Sequence, residues 1–142
     1  MEKINWHVPF ANFLSSQETA KFRWGENDCL LFTLRCVEIR TGVFLAPWII
    51  GKYYDEQTAY DLIEEYCGSR DIEYAFDKGL PEAGFWYLPN KLMATRGDVV
   101  IFGDPKIAGV VDLSGTKIMS IGPMGIMRVE LNKSRKVWTC RR

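Results

Sequence analysis

The sequence predicts an α+β domain with its helices first and its sheet last. Apolar residues recur at helical spacing through the first two thirds, and after Gly97 the period drops to two and β-branched residues dominate. Length sets the scale: 142 residues, 47% hydrophobic and 25% charged, make a single domain over residues 1–142 with a core of its own.

Taken in order, Phe10, Phe13 and Leu14 sit at helical spacing between Pro9 and Ser16 and predict a short amphipathic helix. A polar linker leads to Trp24. The next helix starts where Glu26, Asn27 and Asp28 offer caps and stops at Gly42. On it, Cys29, Phe32, Thr33, Cys36 and Ile39 or Arg40 form the stripe expected to be buried. Residues 42–54 read as irregular and aromatic. Ala59, Leu62, Ile63 and Tyr66 predict a helix over 55–66 ended by Gly68, and a shorter one spans 71–78, stopped by Gly79 and Pro81. GFWYLPN, residues 84–90, reads as an aromatic loop. Five strands follow at 98–102, 108–113, 117–121, 125–131 and 136–140, divided by the turns GDPK, SGT and GPM and the polar stretch NKSR. They predict an antiparallel five-stranded meander, open or closed into a half-barrel.

Composition excludes several classes. Eighteen basic residues balance eighteen acidic ones, so bulk electrostatic binding of nucleic acid is not expected, and the basic end at Arg135, Lys136, Arg141 and Arg142 is too small to change that. Cys29, Cys36, Cys67 and Cys140 contain no CxxC pair, and the single histidine, His7, is remote from them; free thiols, no metal and no cofactor are expected. The N-terminus lacks an apolar core and a cleavage site, so no signal peptide is expected. The longest apolar run, Val43–Ile50, is broken by Pro47 and falls short of the roughly 20 residues needed to insert across a membrane. No GxxxxGK(S/T), GxGxxG or HExxH pattern occurs.

The residue with chemical potential is Cys29, in the first turn of a helix, where partial positive charge favours a thiolate. A nucleophilic cysteine also needs a base. A cysteine on an apolar helical face reads equally as core. Asp28 reads as a cap or as an orienting carboxylate, and Asp98 as a turn residue or a catalytic one. Trp24, Tyr53, Tyr54, Phe85, Trp86 and Tyr87 read as a partner-binding surface or as core packing. Asp55-Glu56 and Glu64-Glu65 read as solvated helix faces.

The segment Trp24-Gly25-x-x-Asp28-Cys29-x-x-Phe32, followed by Gly42, Tyr53 and a helix, resembles the opening of phage-encoded NlpC-type domains. These are papain-like cysteine peptidases and amidases of phage tail tips. Arg96-Gly97-Asp98-Val99-Val100 is similar to the family's lead into its first core strand, Ala108-Gly109-Val110-Val111 to its second, and residues 125–138 to its closing strands. The resemblance implies a papain-like NlpC-type fold with Cys29 as nucleophile and a histidine base opening the second strand, where this sequence has Ile107. His7 precedes the cysteine, on the wrong side for the ordinary chain order, and Asp112 and Ser114, near the end of the strand that the histidine would open, are the candidate polar substitutes. Positioned proton transfer is worth about 10²–10⁴-fold, so its loss points to a peptidase reused as a structural part. The implied function is a catalytically inactive component of a phage or prophage tail tip or baseplate, made in the bacterial cytoplasm and docked on hub and distal tail proteins. Two alternatives stand beside it. One is an active peptidase or amidase cutting peptidoglycan stem peptides during DNA delivery; the other is a tail assembly factor.

Overall fold

Asp28 starts the central helix of the molecule. Its extended backbone (φ −122°, ψ −178°) and side chain, which accepts from the Leu31 amide, open α2 at Cys29–Thr41, and Gly42 closes it in the left-handed region (φ 84°). The computed structural model describes residues 2–141. Arg142, part of the expected basic end, lies outside them. α1, His7–Gln17, precedes α2, and α3, Glu56–Cys67, and α4, Ile72–Gly79, follow it. Asp55 and Thr58 form a reciprocal capping box on α3, and Gly68 ends it. Asp71 accepts from the Glu73 amide to cap α4. Among the described residues no helix is long and apolar enough to cross a membrane.

The expected one-sided stripe on α2 is too narrow. Phe32 and Cys36 pack with Trp6, Phe10 and Val110, while Leu31, Leu34 and Val37 pack on a second face with Phe76, Leu80 and Trp138. α2 lies between the sheet and the other helices, and a helix covered on both sides is apolar nearly all round.

Among the described residues the sheet has six strands, not five. They are β1 (Trp86–Tyr87), β2 (Val99–Phe102), β3 (Ile107–Val111), β4 (Lys117–Gly122), β5 (Gly125–Glu130) and β6 (Ser134–Thr139). The extra strand lies within the expected aromatic loop: Trp86 and Tyr87 pair with Thr139 and Trp138, while Phe85 and Leu88 on either side turn into the core. All neighbours are antiparallel, in the order β1-β6-β2-β3-β4-β5, so β5 and β6 are not adjacent and the meander stops at β5.

That order forces curvature. From Glu130 to Ser134 the chain spans at most roughly 14 Å, yet four strand spacings in a flat sheet come to about 19 Å. The sheet therefore curls, helped by an irregularity at Ile101/Phe102. Inside the curl Val100, Phe102, Val111, Ile118 and Val137 form a core of their own, closed by Leu88 and Ala94. The helices pack outside.

Where β2 begins, Gly97 has φ +81°, and a Cβ there would stand 2.5 Å from the Trp6 ring. Beside it the buried Arg40 guanidinium bonds Asp98 at 3.0 Å and Glu2 at 2.9 Å, with the Trp6 and Phe85 rings 4.9 and 5.6 Å away. Asp98 also accepts from the Thr95 amide at 2.9 Å. It is a buried structural carboxylate rather than a residue of the cysteine site.

Candidate functional site

The stretch from Trp24 to Cys29 is one mechanical unit. Arg23 and Asn27 exchange backbone hydrogen bonds of 3.0 and 2.8 Å across a tight turn. Inside that turn Gly25 has φ +78°, and a Cβ would fall 2.2 Å from the Tyr53 carbonyl oxygen, so only glycine fits. The Gly25 amide donates to Asp28 Oδ2 at 2.8 Å, the Leu31 amide to Oδ1 at 3.0 Å and the Tyr53 hydroxyl to Oδ2 at 2.5 Å. Asp28 thus ties the turn, the helix start and the segment before α3 to one buried carboxylate. The capping reading of Asp28 holds, and its second oxygen is spent on Tyr53 and Gly25 rather than on a catalytic partner.

Cys29 projects from this unit into a cleft of about 240 Å³ walled by Trp24, Tyr53, Tyr60, Ile63, Ile107 and Pro123. Glu56 and Lys106 stand at the same cleft. Lys106 is committed to Asp71 at 3.0 Å and Glu73 at 3.4 Å. Burial pushes the Cys29 thiol up to about 11, and the neighbouring Asp28 carboxylate adds to the rise. The backbone amides of Ala108 and Leu30 act in the opposite direction and do not outweigh them. A helix N-terminus favours a thiolate only where that charge is solvated or paired. Here the capping carboxylate offsets the helix field and the walls are apolar, so the sulfur stays protonated. Burial and Asp28 likewise hold the Tyr53 hydroxyl in its neutral form.

Ile107, the residue at the position where the resemblance implies a base, does line the Cys29 cleft. It brings no proton acceptor. His7 is exposed in the first turn of α1, stacked on Trp6 with centroids 4.1 Å apart, and is not among the cleft residues. Asp112 and Ser114 bond each other at 2.6 Å in the β3–β4 turn, at the opposite end of β3 from Ile107. Among the described residues no group of three or more His, Cys, Asp or Glu is placed to hold a metal.

The six aromatic candidates divide. Trp24 and Tyr53 meet edge to face at 6.5 Å in the cleft wall. Tyr53 and Phe85 are buried, at 4% and 2% exposure, and belong to the main core rather than to a surface. Tyr54 is exposed and outside the cleft, and Trp86 and Tyr87 lie at the far edge of the sheet on β1. Sequence reasoning missed Glu56 and Tyr60, although their spacing of four, continued by Ile63, puts them on the face of α3 turned to the cleft. Lys106, in the GDPK turn just before Ile107, was the other omission.

A family model described as a domain of unknown function (DUF6950) matches residues 1–140, and the chain belongs to that family. No curated protein matches the chain, nor does any solved structure.

Proposed function

We propose that this chain is a papain-like NlpC-type domain that has lost its hydrolytic chemistry and serves as a structural component of a phage or prophage tail tip, docked on hub and distal tail proteins. One observation carries the loss of chemistry: Cys29 and Ile107 wall the same cleft, burial and Asp28 hold the thiol protonated, and no histidine lines the cleft. Cysteine hydrolases of this kind need a thiolate and an imidazole shuttle together, and here the thiol is held protonated and Ile107 stands where the resemblance implies the imidazole. The placement in a tail tip rests on the likeness of Trp24-Gly25-x-x-Asp28-Cys29 and the strand openings to phage NlpC-type domains.

Two experiments test the two halves. Cys29→Ala in the phage or prophage should leave infectivity unchanged, whereas loss of infectivity together with loss of peptidoglycan cleavage would restore the peptidase reading. Mass spectrometry of purified virions should find the protein in the particle; finding it only in infected-cell lysate would make it an assembly factor.

A further inference from the structure

Two segments of this chain, residues 83–97 and 131–141, contain no Asp or Glu. The first carries Lys91 and Arg96, the second Lys133, Arg135, Lys136 and Arg141. The fold lays them side by side. β1 pairs with β6, and Lys91 Nζ donates to the Ser134 carbonyl at 2.9 Å. Trp86 Nε1 donates to the Arg141 carbonyl at 3.1 Å, and the Arg141 guanidinium donates to the Met93 carbonyl. The basic end that is small in the sequence thus gains two cations from a distant segment.

Those charges are not cancelled nearby. Lys136 is paired with Asp77, and Arg135 turns to the Gly103 carbonyl at 3.3 Å. Lys91, Arg96, Lys133 and Arg141 have no carboxylate partner among the described residues. Of the carboxylates that border the two segments in the chain, Asp98 is bound to Arg40 and Glu130 to Lys117, and Glu82 lines the cleft between α3 and α4.

An apolar tip stands among these cations. Leu88 and Ala94 are buried in the curl of the sheet, and between them lies a 3₁₀ turn, Lys91–Met93. Asn90 holds the turn, its side chain accepting from the Leu92 amide at 3.1 Å. Anchored on both sides, the turn presents Leu92 at 86% exposure, with Met93 and Trp86 about half exposed. The outermost residue is aliphatic and convex. It offers neither a groove for a peptide nor an aromatic face on which bases stack. It suits a soft surface that is anionic on top and apolar beneath.

We infer that this edge rests on an anionic lipid bilayer, Leu92 and Met93 dipping below the headgroups while Lys91, Arg96, Lys133 and Arg141 meet the lipid anions. The contact is peripheral, since among the described residues no helix is long and apolar enough to cross a membrane. Each cation held at such a surface adds about fivefold in affinity. The inference concerns the purified chain and bare lipid, so it neither needs the tail-tip reading nor falls with it.

The test is co-sedimentation of the purified full chain with vesicles of phosphatidylcholine and phosphatidylserine in equal parts. At about 0.1 M salt, where the Debye length is ~10 Å, the chain should pellet with these vesicles and not with pure phosphatidylcholine. At about 1 M salt, where the Debye length is ~3 Å, it should stay in solution. Lys133→Gln and Arg96→Gln should each weaken binding about fivefold. Leu92→Gln keeps every charge and should weaken it about tenfold. All three change exposed side chains only, and circular dichroism checks that they fold. Soluble glycerophosphoserine should leave the chain on the vesicles; displacement by it would assign a site for single headgroups and overturn the bilayer contact. No binding to the mixed vesicles, equal binding to pure phosphatidylcholine, or binding that Leu92→Gln leaves unchanged also overturns the proposal. So does duplex DNA that binds as tightly as the mixed vesicles and competes with them.

Discussion

Cys29 shows how a position favourable to a reactive thiol can be cancelled by its surroundings. The helix start was legible in the sequence, because Asp28 ahead of an apolar period and Gly42 behind it mark both ends. What the sequence could not show is that the same Asp28 is buried against the sulfur and that Ile107 and Trp24 close the cleft around it. Alkylation of Cys29 should therefore accelerate up to about pH 11 and show no selective reaction in acid, read by peptide mapping across pH. The linkage has a definite sign. An acid whose pKa is higher folded than unfolded keeps its proton while the unfolded chain loses it, so stability falls as pH climbs from about 9 to about 11. Cys29→Ala should flatten that alkaline decline in urea titrations; the buried Cys36, whose thiol is also raised by burial, accounts for part of what is left. Asp28→Ala should cost about 3 kcal/mol in the same assay, since it strips the cap and leaves the Gly25 and Leu31 amides and the Tyr53 hydroxyl without an acceptor. Asp28→Asn, which keeps one acceptor oxygen, should cost less.

Among the elements, α3 stands apart. Its capping box and its apolar spacing made it as readable as any helix in the chain, yet none of its residues is fully buried. Ile63 lines both clefts and Ala59 one of them, while Ala59 and Leu62 pack only partly buried against the main core. Hydrogen exchange should consequently find α3 opening locally, well before α2 and β3, whose amides exchange only when the whole domain unfolds. Equal protection across all three would show that α3 is fixed by more than its packing. β1 is the opposite case. Its two residues are too short a run to announce a strand, and its pairing with β6 joins residues more than fifty apart in the chain. Local pattern carries no trace of such a partner. The one-sided stripe expected on α2 failed for a related reason, because periodicity reports that a face is buried but not that a second layer covers the other.

At the scale of the whole molecule, the pin is the Arg40–Asp98 pair. It joins the end of α2 to the start of β2, and Glu2 and the Trp6 and Phe85 rings close around it. Asp98→Asn should cost about 3 kcal/mol because the buried guanidinium loses its buried carboxylate and keeps only the partly exposed Glu2. Combining it with Arg40→Met should recover much of that loss, measured by urea denaturation of the two singles and the double. Neither partner looked unusual in the sequence: one sat at the edge of a helical stripe, the other in a turn. The α+β order, the four helices and the five long strands were legible because each is encoded within its own segment. The curl of the sheet was not, since it depends on which distant segments lie together.

The strand order carries a consequence for how the protein is made. β6 follows β1–β5 in sequence, yet it lies between β1 and β2. Until residues 134–139 have left the ribosome, β1 has no neighbour and β2 lacks one of its two. Trp138 and Val137, both central to the cores, are likewise absent. The nascent chain can form its helices and the β2–β5 meander early, but it can lock them together only once residues 134–139 have emerged.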